Sequence, residues 1–298
     1  MCFYGYLTKL KQKPVNPSEV GESFYNFVPE MDKNRNIDIM GIVNLTDDSF
    51  YSCSRCSGID DALTLAGRHM EGGASILDIG ACSSRPGSLP IGPEEEWNRL
   101  EPVLKVLRES FPSVEISIDT YWAEVVERTY DLIGNFIIND ISAGEDDPLM
   151  LPTAGRLGLT YVAMHKRGSP RQMRQLTSYD DVTEDVFRYF VDFSLKAEKN
   201  GIDDWIADPG FGFAKTAAQN YELLSGLGRF RELPGNRKIL VGVSRKSMIY
   251  KPLSITPETS LAATQVVHLA ALQNGADILR VHDVAEAAHT VALYRMLD

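Results

Sequence analysis

Eight short apolar runs, interleaved with longer segments of helical period, constrain this chain more than any other feature. They are IDIMGIV (37–43), SILDIG (75–80), EISID (115–119), FIIN (136–139), LTYVAM (159–164), DWIAD (204–208), KILVGV (238–243) and DILRV (277–281). Continuous apolar runs of this kind suit parallel strands covered on both faces. The segments between and after them (60–73, 93–111, 121–134, 148–158, 182–201, 220–233, 260–275 and 285–297) mostly repeat apolar residues at three- and four-residue spacing. Several end in Gly, a common helix stop. Eight strand-then-helix units in about 260 residues match the count and size of an α/β (β/α)₈ TIM barrel. A doubly wound sheet is the alternative, but it usually carries fewer strands and a Gly-rich dinucleotide turn. GFGFAK (210–215) has neither the G-x-G-x-x-G spacing nor the full Walker pattern. Residues 1–35 show no clear period and read as an N-terminal extension; residues 36–298 read as one barrel domain.

Charge narrows the partners. The formal net charge is -11, which disfavours a nucleic-acid partner, since phosphate binding favours a basic surface. It also makes any local cluster of Arg, Lys and His more informative. No apolar run approaches the roughly 20 residues that cross a bilayer, and the first residues lack a signal-peptide core, so a cytoplasmic protein with no membrane partner is expected. Cys53-Ser-Arg-Cys56 invites a metal or redox reading. A zinc site would normally need two more ligands at comparable spacing, and none is evident, so the pair reads as reduced loop cysteines.

In such a barrel the active site lies at the C-terminal ends of the strands, and every run here ends in polar groups. In strand order they are Asn44 to Phe50, then Cys82 to Gly87 after Asp78, then Asp119-Thr120, Asn139-Asp140, Met164 to Gly168, Asp208 to Phe213, Ser244 to Ser247, and Arg280 to Asp283. Asp119, Asn139, Asp208 and Lys246 mix carboxylate, amide and ammonium, a set that could hold a flat heterocycle with donors on one edge and acceptors on another. Asn44, Arg85, Arg280 and His282 offer donors to an anion such as phosphate or pyrophosphate. No nucleophile with a paired base is evident; Ser244 and Ser247 lack a Ser-His-Asp pattern. The chemistry expected is therefore positioning and electrostatic stabilisation of a leaving group.

With these residues in view, the chain from about Ile37 to its C-terminus resembles the dihydropteroate synthases. The likeness rests on IMGIVNLTDDSF, ILDIGACSSRPG, ISIDT, IINDISAG, MHKRG, the spaced YDDV, DPGFGFAKT, VGVSRKS and DILRVHDV, in that order; a single motif is weak, but the ordered set is specific. The resemblance implies a pterin-binding (β/α)₈ transferase of folate biosynthesis, a homodimer and a sulfonamide target. It would join 6-hydroxymethyl-7,8-dihydropterin pyrophosphate to 4-aminobenzoate by a dissociative substitution, with Mg²⁺ as cofactor. On that resemblance Asp119, Asn139, Asp208 and Lys246 would grip the pterin, and Asp119 would steady the cationic methylene. Arg280, His282 and Asn44 would hold pyrophosphate, Asn44 also contacting Mg²⁺, and Arg85 would close over it. Ser84, Pro86 and Ser247, with Phe213 and Phe50, would shape the aminobenzoate pocket. Met164, just before His165, reads as an apolar lining of the pterin slot or as core packing. Lys246 and Ser247 would thus be ligand groups, and Arg245 a structural or interface pair.

Two loops depart from the family pattern. Asp47 stands for the usual Pro, Tyr51 to Arg55 replace the usual Ser-Asp-Gly-Gly, and Cys82-Ser83-Ser84-Arg85 replaces Glu-Ser-Thr-Arg. Lid loops often set turnover, so loop closure, rate and sulfonamide sensitivity are the properties these changes bear on. Asp78 reads equally as a substrate contact or a structural carboxylate, His165 as a loop-fixing residue, and Lys166 and Arg167 as solvated charge. His69, His268 and His289 read as ordinary helix histidines, and Glu94 to Glu96 as helix-dipole carboxylates. Two other readings remain open: a methyltetrahydrofolate-using methyltransferase barrel and a non-catalytic pterin-binding homologue.

Overall fold

The computed structural model describes residues 35–45, 56, 58–82, 91–168 and 172–297. The expected extension over 1–35 therefore lies almost wholly outside the described residues. Strands and helices alternate as β1 (Asp38–Asn44), α1 (Ile59–Glu71), β2 (Ile76–Gly80), α2 (Pro93–Ser110), β3 (Glu115–Asp119), α3 (Ala123–Ile133), β4 (Ile137–Asp140), α4 (Met150–Leu157) and β5 (Thr160–Met164). They continue as α5 (Val182–Asn200), β6 (Trp205–Asp208), α6 (Ala217–Ser225), β7 (Leu240–Val241), α7 (Ser247–Tyr250), α8 (Leu261–Gln273), β8 (Ile278–Val281) and α9 (Val284–Tyr294). All pairings are parallel, in the order β6-β5-β4-β3-β2-β1-β8-β7. A single bridge between Ala207 and Ile239, with Ala207 N–H donating to Lys238 O at 2.9 Å, joins β6 to β7 and closes the barrel. This is the (β/α)₈ TIM barrel expected from the interleaved runs.

The period of two along a strand decides what faces the barrel axis. A Cβ on Gly41 would stand 2.8 Å from the His69 ring on α1 and 3.1 Å from Val284 on α9. Ile39, Gly41 and Val43 therefore face the helices, and Met40, Ile42 and Asn44 face inward. The buried cluster Met40, Ile76, Ile137, Val162, Ile206, Leu240 and Ile278 takes one residue from seven of the eight strands. Two residues further on, on the same face, stand Ile42, Asp78, Asn139, Met164, Asp208, Gly242 and Arg280. An apolar floor thus carries a mostly polar layer directly above it. Side-chain caps set two helix starts: Asp181 Oδ1 accepts from Glu184 N–H at 3.0 Å, and Thr216 forms a reciprocal capping box with Gln219.

Two elements differ from their apolar pattern. The seventh run spans 238–243, but only Leu240–Val241 is ladder strand. The backbone turns at once, Lys246 N–H donating to Val243 O at 3.1 Å with Arg245 at φ +53°, so the residues after it leave the sheet. The segment 220–233 reads as one helix in sequence. It breaks into α6 and a 3₁₀ turn over Leu227–Glu232, parted by Gly226, where a Cβ would come within 2.6 Å of Thr183.

Candidate active site

Asp78 is the centre of the polar layer. It is fully buried, and its Oδ1 accepts from Ser117 Oγ at 2.7 Å and from Asn139 Nδ2 at 3.1 Å. Its Oδ2 accepts from Arg280 Nε at 2.7 Å and pairs with Arg280 Nη2 at 2.6 Å. The same Nη2 reaches Asp119 Oδ2 at 2.8 Å. Arg280 therefore lies between two carboxylates, a charge-assisted arrangement, and one network links β2, β3, β4 and β8. Of the two readings open for Asp78, the structural one fits these contacts: Ser117, Asn139 and Arg280 already engage both of its oxygens. Burial pushes the Asp119 carboxyl up, Arg280 pulls it down, and Asp78, Asp140 and Asp208 push it up further.

Asp208 and Lys246 form the other side. Gly210 N–H donates to Asp208 Oδ1 at 2.8 Å, and Lys246 Nζ donates to Phe211 O at 2.7 Å and stands 4.9 Å from the Phe213 ring centroid. Burial pushes Asp208 up, with Lys246 the leading cation that lowers it. Burial pushes the Lys246 ammonium down to about 8, against the pull of Asp208. Gly210 is obligatory here: its φ is +69°, and a Cβ would come within 2.0 Å of His165 O. A left-handed backbone alone costs an L residue about 1–2 kcal/mol, and the clash adds to it. Gly210→Ala is expected to lower folding stability by at least about 2 kcal/mol, read as a drop in Tm by calorimetry; an unchanged Tm would refute this account of the turn.

The rim completes the set. Asn44 ends β1, and a Cβ on Gly80 would lie 3.4 Å from Asn44 Oδ1 and 3.3 Å from Asp119 Cβ, so the two side chains converge over that glycine. His282 places Nδ1 3.0 Å from Ser244 Oγ, and burial with the cations Arg280, Arg245 and Lys246 pushes its imidazolium down to about 3. Neutral His282 is thus the form at pH 7. Met164 is buried at the end of β5, and Ser247 is half-buried at the start of α7. Arg245 turns away as expected, pairing with Asp283 at 2.7 and 2.8 Å and donating to Pro257 O and Glu258 O. Phe50, Ser84, Arg85 and Pro86, with Cys53, lie outside the described residues.

Asp140, Lys166, Arg167 and Glu96 differ from their sequence reading, while Cys56 is a free cysteine as expected. Asp140 neighbours Asn139 but has the opposite parity, and it accepts from Ser142 N–H, Gly144 N–H and Tyr161 OH, organising the loop after β4. Lys166 is buried and ion-paired with Asp146, and Arg167 stacks 3.7 Å over the Tyr179 ring, so neither is simply solvated charge. Glu94 pairs with Arg128 and Glu95 with Arg99 on the surface, whereas Glu96 is fully buried and its carboxyl is pushed up to about 7 by burial. Cys56 is buried and its thiol pushed up to about 11, mainly by burial, the opposite of a reactive thiolate. Among the described residues no three His, Cys, Asp or Glu side chains stand close enough to hold a metal ion. Among the described residues Asn44 thus offers a single oxygen donor, which fits Mg²⁺ as an ion shared with substrate phosphates.

The arrangement can bind a planar polar ring between Asp119, Asn139, Asp208 and Lys246 and place an anion near Arg280, His282 and Asn44. Comparisons with known proteins place the chain in a family. A family model described as pterin binding enzyme matches residues 40–282. The dihydropteroate synthase of Escherichia coli (strain K12) is 38% identical over 262 residues, covering 87% of this chain and 90% of that protein. A structure of the Yersinia pestis dihydropteroate synthase in a sulfonamide drug complex superposes with TM-score 0.83 at 34% identity, over 89% of this chain and 95% of that one. The Xanthomonas albilineans dihydropteroate synthase solved with 4-aminobenzoic acid gives TM-score 0.78 at 36% identity, over 88% and 93% of the two chains.

Proposed function

The chain belongs to the pterin binding enzyme family, and from that premise we propose that it works as a dihydropteroate synthase. The reaction joins 6-hydroxymethyl-7,8-dihydropterin pyrophosphate to 4-aminobenzoate and releases 7,8-dihydropteroate and pyrophosphate. One observation carries the reading: Arg280 touches both Asp78 and Asp119, so the cation of an anion site is built into the wall of a ring-binding site.

In this reading Asn139 and Asp208 meet the polar edges of the pterin, and Lys246 donates to it from the opposite side. The bond between the exocyclic methylene and the ester oxygen of pyrophosphate breaks, and the oxygen leaves with the electron pair. The cation left on the methylene would be steadied by the Asp119 carboxylate, and the growing negative charge by Arg280, with neutral His282 as a hydrogen-bonding partner. The arylamine nitrogen then attacks with its lone pair and loses a proton. Arg85 would close over the pyrophosphate, and Ser84, Pro86, Phe50, Phe213 and Ser247 would enclose the aminobenzoate, with Met164 against the pterin. Mg²⁺ would arrive with the pyrophosphate, held to the protein by Asn44, and supply charge neutralisation on the phosphate oxygens. A sulfonamide, as a mimic of aminobenzoate, would compete at the same pocket.

We also read the chain as a cytoplasmic homodimer. The exposed apolar side chains of Val266 on α8 and Leu293 on α9 support an association surface. No helix among the described residues is long and apolar enough to cross a membrane.

The deciding experiment is pyrophosphate release by purified protein with the dihydropterin pyrophosphate, Mg²⁺ and 4-aminobenzoate. Release that depends on aminobenzoate and yields dihydropteroate supports the synthase. Pterin binding without dihydropteroate would replace it with a non-catalytic binder, and tight binding of methyltetrahydrofolate would favour a methyltransferase barrel. A pH dependence follows from Lys246. Its ammonium is the donor form, and its pKa is pushed down to about 8, so kcat/KM for the pterin substrate is expected to fall as pH rises through about 8. Lys246→Arg, which stays charged, should remove that limb. A rate that climbs through the same window in the wild type and no longer does so in Lys246→Arg would show instead that the neutral amine is the working form.

A further inference from the structure

The segment after β6 has little regular backbone to hold it. Gly210, Ala214 and Gly212 sit at φ +69°, +50° and +83°. Yet this segment carries groups around which the candidate site is arranged: the Gly210 N–H that orients Asp208, the Phe211 carbonyl that receives Lys246, and the Phe213 ring beside Lys246. At its centre is a second lysine, Lys215, which is buried. Its Nζ donates to Gly210 O at 3.0 Å and Phe213 O at 3.2 Å, and it stands 3.0 Å from His165 Nδ1. A charged Lys215 has three donors and no acceptor, so these three acceptors match its full hydrogen-bonding capacity; burial pushes its ammonium down to about 7, against the pull of Asp208. His165 completes the set only as a neutral imidazole with Nδ1 accepting, and burial together with the Lys215 and Arg167 cations holds its pKa well below the usual range. His165 N–H in turn donates to Asp208 O at 2.9 Å. Asn220 grips the segment from α6, accepting from Gly212 N–H at 2.7 Å and donating to Lys215 O and Thr216 O.

We propose that Lys215 is a positioning residue for the reaction: its ammonium is the post around which residues 208–216 are wound, fixing Asp208, Lys246 and Phe213 in one arrangement. This rests on the synthase reading above. Lys215 spends its donors on protein groups, so it acts through its neighbours. Its influence spans both substrates, because the Gly210 end of the segment serves the pterin and the Phe213 end serves the arylamine.

The test uses Lys215→Met, which keeps most of the chain length and removes the donors, with Lys215→Gln as a second variant. Pterin pyrophosphate affinity is measured by calorimetry, and KM and kcat by pyrophosphate release. In folded Lys215→Met, pterin affinity is expected to weaken and the KM for aminobenzoate to rise, with kcat/KM down on the order of a hundredfold, the scale of a small misplacement of reacting groups. Combined with Lys246→Ala, the two losses in pterin affinity should fall well short of their product, since both act on one arrangement. Unchanged affinity and KM with only a lower Tm would overturn the proposal, as would fully multiplicative losses. Failure of both variants to fold would also overturn it, because a residue that serves one loop should leave the barrel standing. The wild-type protein in the same assay tests the synthase reading separately: if it does not turn over, that reading fails whatever the variants do.

Discussion

Replacing Asp78 by alanine is expected to cost about 3–5 kcal/mol of folding stability, the range seen when one partner of a buried ion pair is removed. Asp78 is fully buried, and Ser117, Asn139 and Arg280 all donate to it within 3.2 Å. Alanine would leave the Arg280 guanidinium with Asp119 alone and would strip Asn139 of its acceptor. Both residues would then be free to turn away from the positions they take in the slot. Denaturant unfolding of the variant reads the loss of stability, and the pterin dissociation constant reads the second effect. Asp78→Asn keeps the shape but presents an amide, and is expected to fall between the two. A loss under about 1 kcal/mol for the alanine variant would mean that water substitutes for the carboxylate and that the network is not a support.

Lys246→Ala carries the larger effect on turnover. Removal of one preorganised donor typically costs on the order of a hundred- to a thousandfold in rate, and Lys246 is also the leading cation that lowers the Asp208 carboxyl. Without it, Asp208 should stay protonated to higher pH, so donor loss and acceptor loss compound. A fall in kcat/KM of about a thousandfold, with Tm little changed, is the expected result in the pyrophosphate-release assay. Near wild-type turnover would remove Lys246 from the working groups of the site.

The fold was legible because a parallel sheet buried on both faces writes its strands as unbroken apolar runs. Where sequence and structure part, local backbone departs from the apolar run: β7 keeps two ladder residues ahead of the turn at Arg245, φ +53°, and Gly226 parts a helix from a 3₁₀ turn, neither of which leaves a trace in apolar period. The slot residues were legible as a class, since parallel strands of one barrel deliver whatever follows their apolar runs to a single rim. Their ranking was harder. Asp78 sits two residues after Ile76, just as Asn139 follows Ile137 and Asp208 follows Ile206, so strand parity alone places it in the same layer. Parity also separates Asn139 from Asp140, which faces the helices. Lys215 left no such signal. Its partners are main-chain carbonyls and a histidine 50 positions away, and hydrogen bonds to carbonyls do not depend on the identity of the residue that supplies them.

The barrel's closure has a dynamic consequence. The other neighbouring strands are laced by at least two paired positions, while β6 meets β7 at one bridge. Amide exchange and breathing should concentrate along that seam, which runs between the strand that carries Asp208 and the turn that carries Lys246. A pterin gripped by both would span the gap like a clasp. Occupancy would then tighten the whole cylinder, and the empty protein would be the looser hoop.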